Sequence, residues 1–313
     1  SFLVLALQFV HICDLVNPRT LILNAKNASM RDIKKAPSRV TAIQRQTKIY
    51  GLERTMPQKL FNQFVFHQNE ATVLKVSYEK LLQIVDIVYK CAMKREAETY
   101  RTGLSAIAEI AESYVSIRKE DPTHEDKFLE DTYGKLLSVS KIAFDNRDTE
   151  LLQNIIKTLG TVGVSTTNIT SISMIRGANQ STTLAIWHIH ALGLEAIQRG
   201  LWDGAAQSVR SIENIGIEAV KHTGSETLAS NRILILGKAA VANHEWYLTN
   251  EALGALSELL FQSVLAQSSI YSDPTSIMEA IEQLATLSLD NGLNEFALTY
   301  LFPIVFQNSL GKT

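Results

Sequence analysis

Two cysteines in 313 residues, Cys13 and Cys91, supply neither a disulfide framework nor a metal-ligand spacing, and a reducing compartment, the cytoplasm, is the simpler expectation. Glycine (15) and proline (6) are scarce and aromatic residues make up only 7%, which argues against many-turned all-β architectures. Charged residues are also few, at 20%, against 46% hydrophobic, so the chain can bury a large core and is not a disordered tail. No phosphate-cradling loop is present. Gly311, Lys312 and Thr313 copy the end of such a motif without its upstream glycine, and Gly237-Lys238 falls inside a helical pattern, where packing is the ordinary role.

Metal and acid-base chemistry are equally poorly supplied. His188 and His190 are two residues apart, which splays them by about 200° on a helix, whereas paired helical ligands need a spacing of three or four. His244-Glu245 lacks the second histidine of a zinc-protease helix. Ser77-Tyr-Glu-Lys80 and Ser138-Val-Ser-Lys141 match Ser-x-x-Lys in form but lack the companion motifs of serine acyl-transfer enzymes. The carboxylates at Glu96, Glu98, Glu125, Asp126, Glu130 and Asp131 fall mostly on solvated helix faces. No catalytic, cofactor-binding or metal-ligating residues are assigned, and no cofactor is expected.

What is present is helical periodicity. Leu81, Leu82, Val85, Val88, Tyr89 and Ala92 recur at helical spacing, and so do Leu104, Ile107, Ala108, Ala111, Tyr114 and Val115. Asp121-Pro122-Thr123 and Asp273-Pro274-Thr275 each read as an N-cap acid followed by proline at the first helical position. Asp148 reads as the cap of a short helix ending at Gly160. Tight turns fall near Arg95, Asn146, Gly200, His244 and Gly292, a period close to 50 residues. One hairpin hides only part of its apolar face. The expected fold is therefore all-α, with antiparallel helical hairpins stacked over 57–313 as an α-solenoid or layered bundle.

The N-terminal region is read differently. Within the apolar segment 1–16, residues 2–16 are apolar except for Gln8, His11 and Asp14, and residues 17–56 form a basic linker with a short strand at Thr20–Leu23 and a turn at Lys35–Arg39. From Asn17 to Tyr50 eight basic residues face one acid, while the whole chain carries a net charge of -2. The rest is thus acidic, which argues against a nucleic-acid surface on the helical body. An apolar run leading into a basic segment is what the cytoplasmic exit of a transmembrane helix looks like, although the run is shorter than the roughly 20 residues needed to span a bilayer. A buried first helix and an interfacial anchor are the other two readings.

Leu192-Gly193, Ala196, Gly200, Trp202 and Ala205 give the stretch 192–212 a resemblance to one tetratricopeptide repeat. Ala285, Gly292, Ala297 and Leu301 echo it. The resemblance implies helical-hairpin packing with Ala205 opposite the Leu192-Gly193 pair, and protein or peptide binding at the level of the family. It departs from that family in having Ala196 where a large aromatic is usual, no closing proline, and a period nearer 50 than 34.

The least ordinary segment is 161–183, rich in hydroxyls and poor in charge. It is either a helix extension with a hydroxyl-lined face or a partner or ligand loop. As a surface it would present Thr166, Thr167, Asn168, Arg176 and Asn179, with Trp187 and His188 beside it. The leading functional expectation is a non-catalytic cytoplasmic scaffold or regulatory domain of a membrane-attached protein, binding a protein partner or a copy of itself. The alternatives are a small-ligand sensor or helical enzyme with a site near 161–183, and a soluble tetratricopeptide-like adaptor.

Overall fold

The computed structural model describes residues 17–31, 81, 83–118, 127–167, 180–222, 226–266, 274–293 and 300. Every described element is an α-helix, so the all-α fold of packed helical hairpins is the fold of the protein. The chain divides into two compact units, Ser1–Ile117 and Arg118–Thr313.

In the first unit, α1 (18–31), α2 (83–93) and α3 (Ala97–Arg118) are described. The segment Thr20–Leu23 is helical and not a strand. Its Ile22 is buried together with Ala25 and Ser29 at helical spacing, and that stripe outweighs the local strand preference. Part of the basic segment is therefore packed structure: Lys26 pairs with Glu109 at 2.6 Å and Arg19 with Glu98 at 3.7 Å. Leu81, Val85, Val88, Ala92 and the whole expected stripe of α3 are buried, while Tyr89 is exposed. Residues 1–16, the turn at Lys35–Arg39 and the start at Asp121–Thr123 lie outside the described residues.

The second unit contains α4 (Lys127–Asn146), α5 (Thr149–Thr167), α6 (Gln180–Gln198), α7 (Trp202–His222), α8 (Glu226–Ala242), α9 (Trp246–Leu265) and α10 (Pro274–Asp290). Hairpin partners touch, as do like members of successive hairpins. Helices α4, α6, α8 and α10 pack side by side as one layer, and α5, α7 and α9 as the other. This is a two-layered helical repeat. The hairpin turns of both units share one backbone device: Arg95 in the first unit and Arg147, Gly200, His244 and Gly292 in the second have φ of 59°, 51°, 68°, 56° and 89°. In each, the amide after the left-handed residue donates to a carbonyl five residues back, as Leu201 does to Ala196 and Asp148 to Ala143, both at 2.8 Å. The left-handed residue itself donates three residues back, which completes the Schellman motif.

The turn residue needs no common identity, but the crossing above it does need small side chains. Four positions before the left-handed residue stand Cys91, Ala143, Ala196, Ala240 and Ser288, all buried. Three positions further back, Gly193 faces the Ser208 side chain, where an added Cβ would come within 2.8 Å, and Gly237 faces Leu284 within 2.5 Å. Gly193 thus meets Ser208 and Leu236, and Ala205 is fully buried. Trp202 is only half-buried, and Leu201 beside it takes the interior place.

Two helix starts follow local chemistry. The Leu151 amide donates to Asp148 Oδ1 at 2.9 Å, and α10 opens on Pro274. The expected stop at Gly160 is overturned. Helix α5 runs on to Thr167, because Gly160 and Gly163 are sites of close approach to Ser211 and Ile215 of α7 and do not end the helix.

Candidate functional site

Four consecutive residues of α6 point in four directions. Ile189 is fully buried, while Trp187, on the opposite side of the helix, is 47% exposed. His188 turns to α4, its ring 5.9 Å from that of Tyr133. His190 lies edge-on to Trp187 at 6.4 Å and is only 6% exposed. The histidines are indeed splayed: His190 is buried and His188 is half-buried. Arg232 comes across from α8, its guanidinium carbon 3.6 Å from the centroid of the Trp187 ring, a cation-π stack.

Burial lowers the pKa of His188, and burial together with the Arg232 charge lowers that of His190 from 6.5 to about 4. Both imidazoles are therefore neutral near neutral pH. His190 Nε2 and Arg232 Nε are both buried with no hydrogen-bond partner. Among the described residues Arg232 pairs with no carboxylate. Such groups are rare in folded proteins because each forgoes its solvation without replacement.

The opposite layer carries a completed version of the same arrangement. Arg210 of α7 reaches α9, donating to Glu251 Oε2 at 2.8 Å and to the Tyr247 hydroxyl at 2.7 Å. The hydrogen bond from Arg210 holds Glu251 below the usual carboxylate range and raises the arginine. Glu213 is pushed up by burial and by the neighbouring Glu258 and Glu251.

The expected surface at 161–183 is brought together only in part. Thr166 and Thr167 are fully buried in the last turn of α5, and they are not a solvated recognition surface. Their hydroxyls donate to Gly163 and Val164 carbonyls, and Thr166 lies 2.9 Å from the Thr182 hydroxyl of α6. Asn168, Arg176 and Asn179 lie outside the described residues. Trp187 and His188 are neighbours on α6, where Trp187 meets His190 and Arg232 and His188 meets Tyr133. Nothing in the local sequence distinguishes Arg232 from a solvated helix charge.

No cluster of metal ligands occurs among the described residues. The hydroxyls of Ser138 and Ser140 donate to the Lys135 and Leu137 carbonyls of their own helix. Gly237-Lys238 is a packing site, and Gly311–Thr313 lies outside the described residues. No described helix is long and apolar enough to cross a membrane.

No family of known proteins matches the chain, and no curated protein does. Among solved structures it is similar to a circular tandem repeat protein with novel repeat topology and enhanced subunit contact surfaces. That likeness has 14% identity and a TM-score of 0.41, and covers 90% of this chain and 69% of the other.

Proposed function

We propose that the chain is a non-catalytic scaffold whose layer of α4, α6, α8 and α10 binds a protein, either another chain or a second copy. The observation that carries this reading is Trp187, half-exposed on a rigid helix and clamped by Arg232. Tryptophan and arginine are the residue types that most often anchor protein interfaces. Two packed layers give a stiff surface, and little ordering entropy is lost when a partner docks on it. The likeness of 192–212 to a tetratricopeptide repeat supports peptide or protein binding as a family-level expectation.

A photo-crosslinking residue in place of Trp187 should give one discrete adduct in cells, while the same group at exposed Lys157 in the opposite layer should give none. Equal, diffuse labelling at both positions would count against the scaffold.

Attachment to the cytoplasmic face of a membrane belongs to the same proposal and rests on sequence alone, on the apolar residues 1–16 followed by a basic segment. Deleting residues 1–16 should abolish flotation with anionic phospholipid vesicles and leave the helical circular dichroism of the remainder intact. Unchanged flotation would remove the membrane from the proposal, and a molten remainder would make the segment part of a core.

A further inference from the structure

We infer that His190 and Arg232, beside Trp187 between α6 and α8, form a receptor for a carboxylate group supplied by the bound protein. This rests on the scaffold reading and names the chemistry of its partner. Three features of the site converge on an anion. Arg232 stacks at 3.6 Å on the indole, and that occupies its face while its edge points away from the ring. Its Nε is buried and unbonded, and the guanidinium fork matches a carboxylate in shape and charge. His190, nine-tenths buried, has Nε2 unbonded in the same neighbourhood. With its proton on Nε2 the neutral ring is a donor. Arginine repels a cation, and a neutral ligand leaves its charge uncompensated.

The molecule itself shows what completes this arrangement. In the opposite layer an arginine from one helix meets an aromatic residue of the next, and Glu251, one helical turn from Tyr247, supplies the carboxylate. One turn along from Trp187 the equivalent position holds Ala191, which is exposed. The layer of α6 and α8 thus has the arginine and the aromatic but lacks the acid. Packing alone explains neither polar atom, since a leucine at 190 would fill the space without an orphaned nitrogen.

The test uses the full chain and a fluorescein-labelled hexaglutamate peptide, with hexaglutamine as the uncharged control and glutarate as a competitor. Hexaglutamate should bind and hexaglutamine should not. Arg232→Gln and Ala191→Glu should each weaken binding by about tenfold or more, the second by supplying the missing acid within the chain. His190→Leu should weaken binding while raising the melting midpoint, a pairing that a purely structural histidine would not give. Absence of hexaglutamate binding by the wild type, or binding equal to wild type in both Arg232→Gln and Ala191→Glu, overturns the receptor. If Ala191→Glu fails to fold, Arg232→Gln and His190→Leu decide it. Glutarate competing as well as the peptide supports the carboxylate site but counts against a protein as its source. Failure of hexaglutamate alongside a discrete crosslink at position 187 overturns the receptor and leaves the scaffold standing.

Discussion

The two layers of the second unit answer the same problem differently. Between α7 and α9, Arg210 has a carboxylate, a tyrosine hydroxyl and a settled geometry. Between α6 and α8, Arg232 has only the face of an indole, next to a histidine whose outer nitrogen bonds to nothing. One arrangement is finished by the chain itself, and its arginine is accounted for by stability. The other keeps buried polar atoms unsatisfied at a cost of about 1–3 kcal/mol each. Sites that hold such costs in otherwise well-packed proteins are where function is expected to be found.

The largest expected difference between the layers is in their response to acid. His190 has its folded pKa depressed from 6.5 to about 4, so below pH 6.5 the unfolded chain binds a proton that the folded chain refuses. Stability must then fall as pH drops from 6.5 towards 4, by up to roughly 3 kcal/mol at 1.36 kcal/mol per unit. His188 acts in the same direction, through burial. Glu251, also depressed, loses its contribution only as pH falls below 4.5, and Glu213, which is raised, opposes the trend. The informative quantity is therefore a difference. Denaturant melts at pH 7 and pH 5 should show His190→Leu losing less stability than wild type, and equal losses would mean that the histidine is solvated.

A smaller effect is expected where the layers meet each other. Thr166→Ala removes the hydroxyl partner of Thr182 in a fully buried contact and should cost about 1–2 kcal/mol. A neutral melt would return the end of α5 to solvent, as its composition alone suggests.

That segment shows where sequence reading fails. The turns near Arg95, Asn146, Gly200, His244 and Gly292 fall within a residue of the observed left-handed positions. Ends of this kind depend on chemistry within six or seven residues, and apolar periodicity stops there visibly. Beyond Gly160 the signals are glycine, threonine and serine, which are equally good for a loop and for a close helix crossing. Only the approach of Ser211 and Ile215, some 50 residues on, decides between them. The site is split by the same logic. Trp187 and His188 stood out as unusual residues on a helix, whereas Arg232 becomes significant only when α8 lies beside α6. The repeat itself was legible as spacing but not as identity. What its units share is a small residue at Cys91, Ala143, Ala196, Ala240 and Ser288, while the turn residue varies from glycine to arginine.

Breaking the finished arginine should have a modest effect. Glu251→Gln keeps the shape and removes the charge, and because Arg210 is 43% exposed and Glu251 25%, solvent already screens their attraction. A loss of about 0.5–1 kcal/mol is expected. A loss near 3 kcal/mol would imply a desolvated pair and undo the contrast drawn between the layers.

The smallest expected effect is the most telling. Arg232→Gln removes a guanidinium that pairs with no described carboxylate and contributes a cation-π stack worth about 0.5–1 kcal/mol at a partly exposed indole. It also removes the unbonded Nε, a loss that favours the fold, and the positive charge that helps to depress His190. These terms oppose one another, so the variant should lose no stability. The His190 pKa, followed by NMR titration of the ring protons, should at the same time move up from about 4 as one of its two depressing causes disappears. A variant that melts like wild type while its histidine titrates higher would establish that Arg232 is electrostatically coupled to the site yet dispensable for folding. A loss comparable to a broken core contact would instead make Arg232 a structural clamp, and the unfinished layer would then be no different in kind from the finished one.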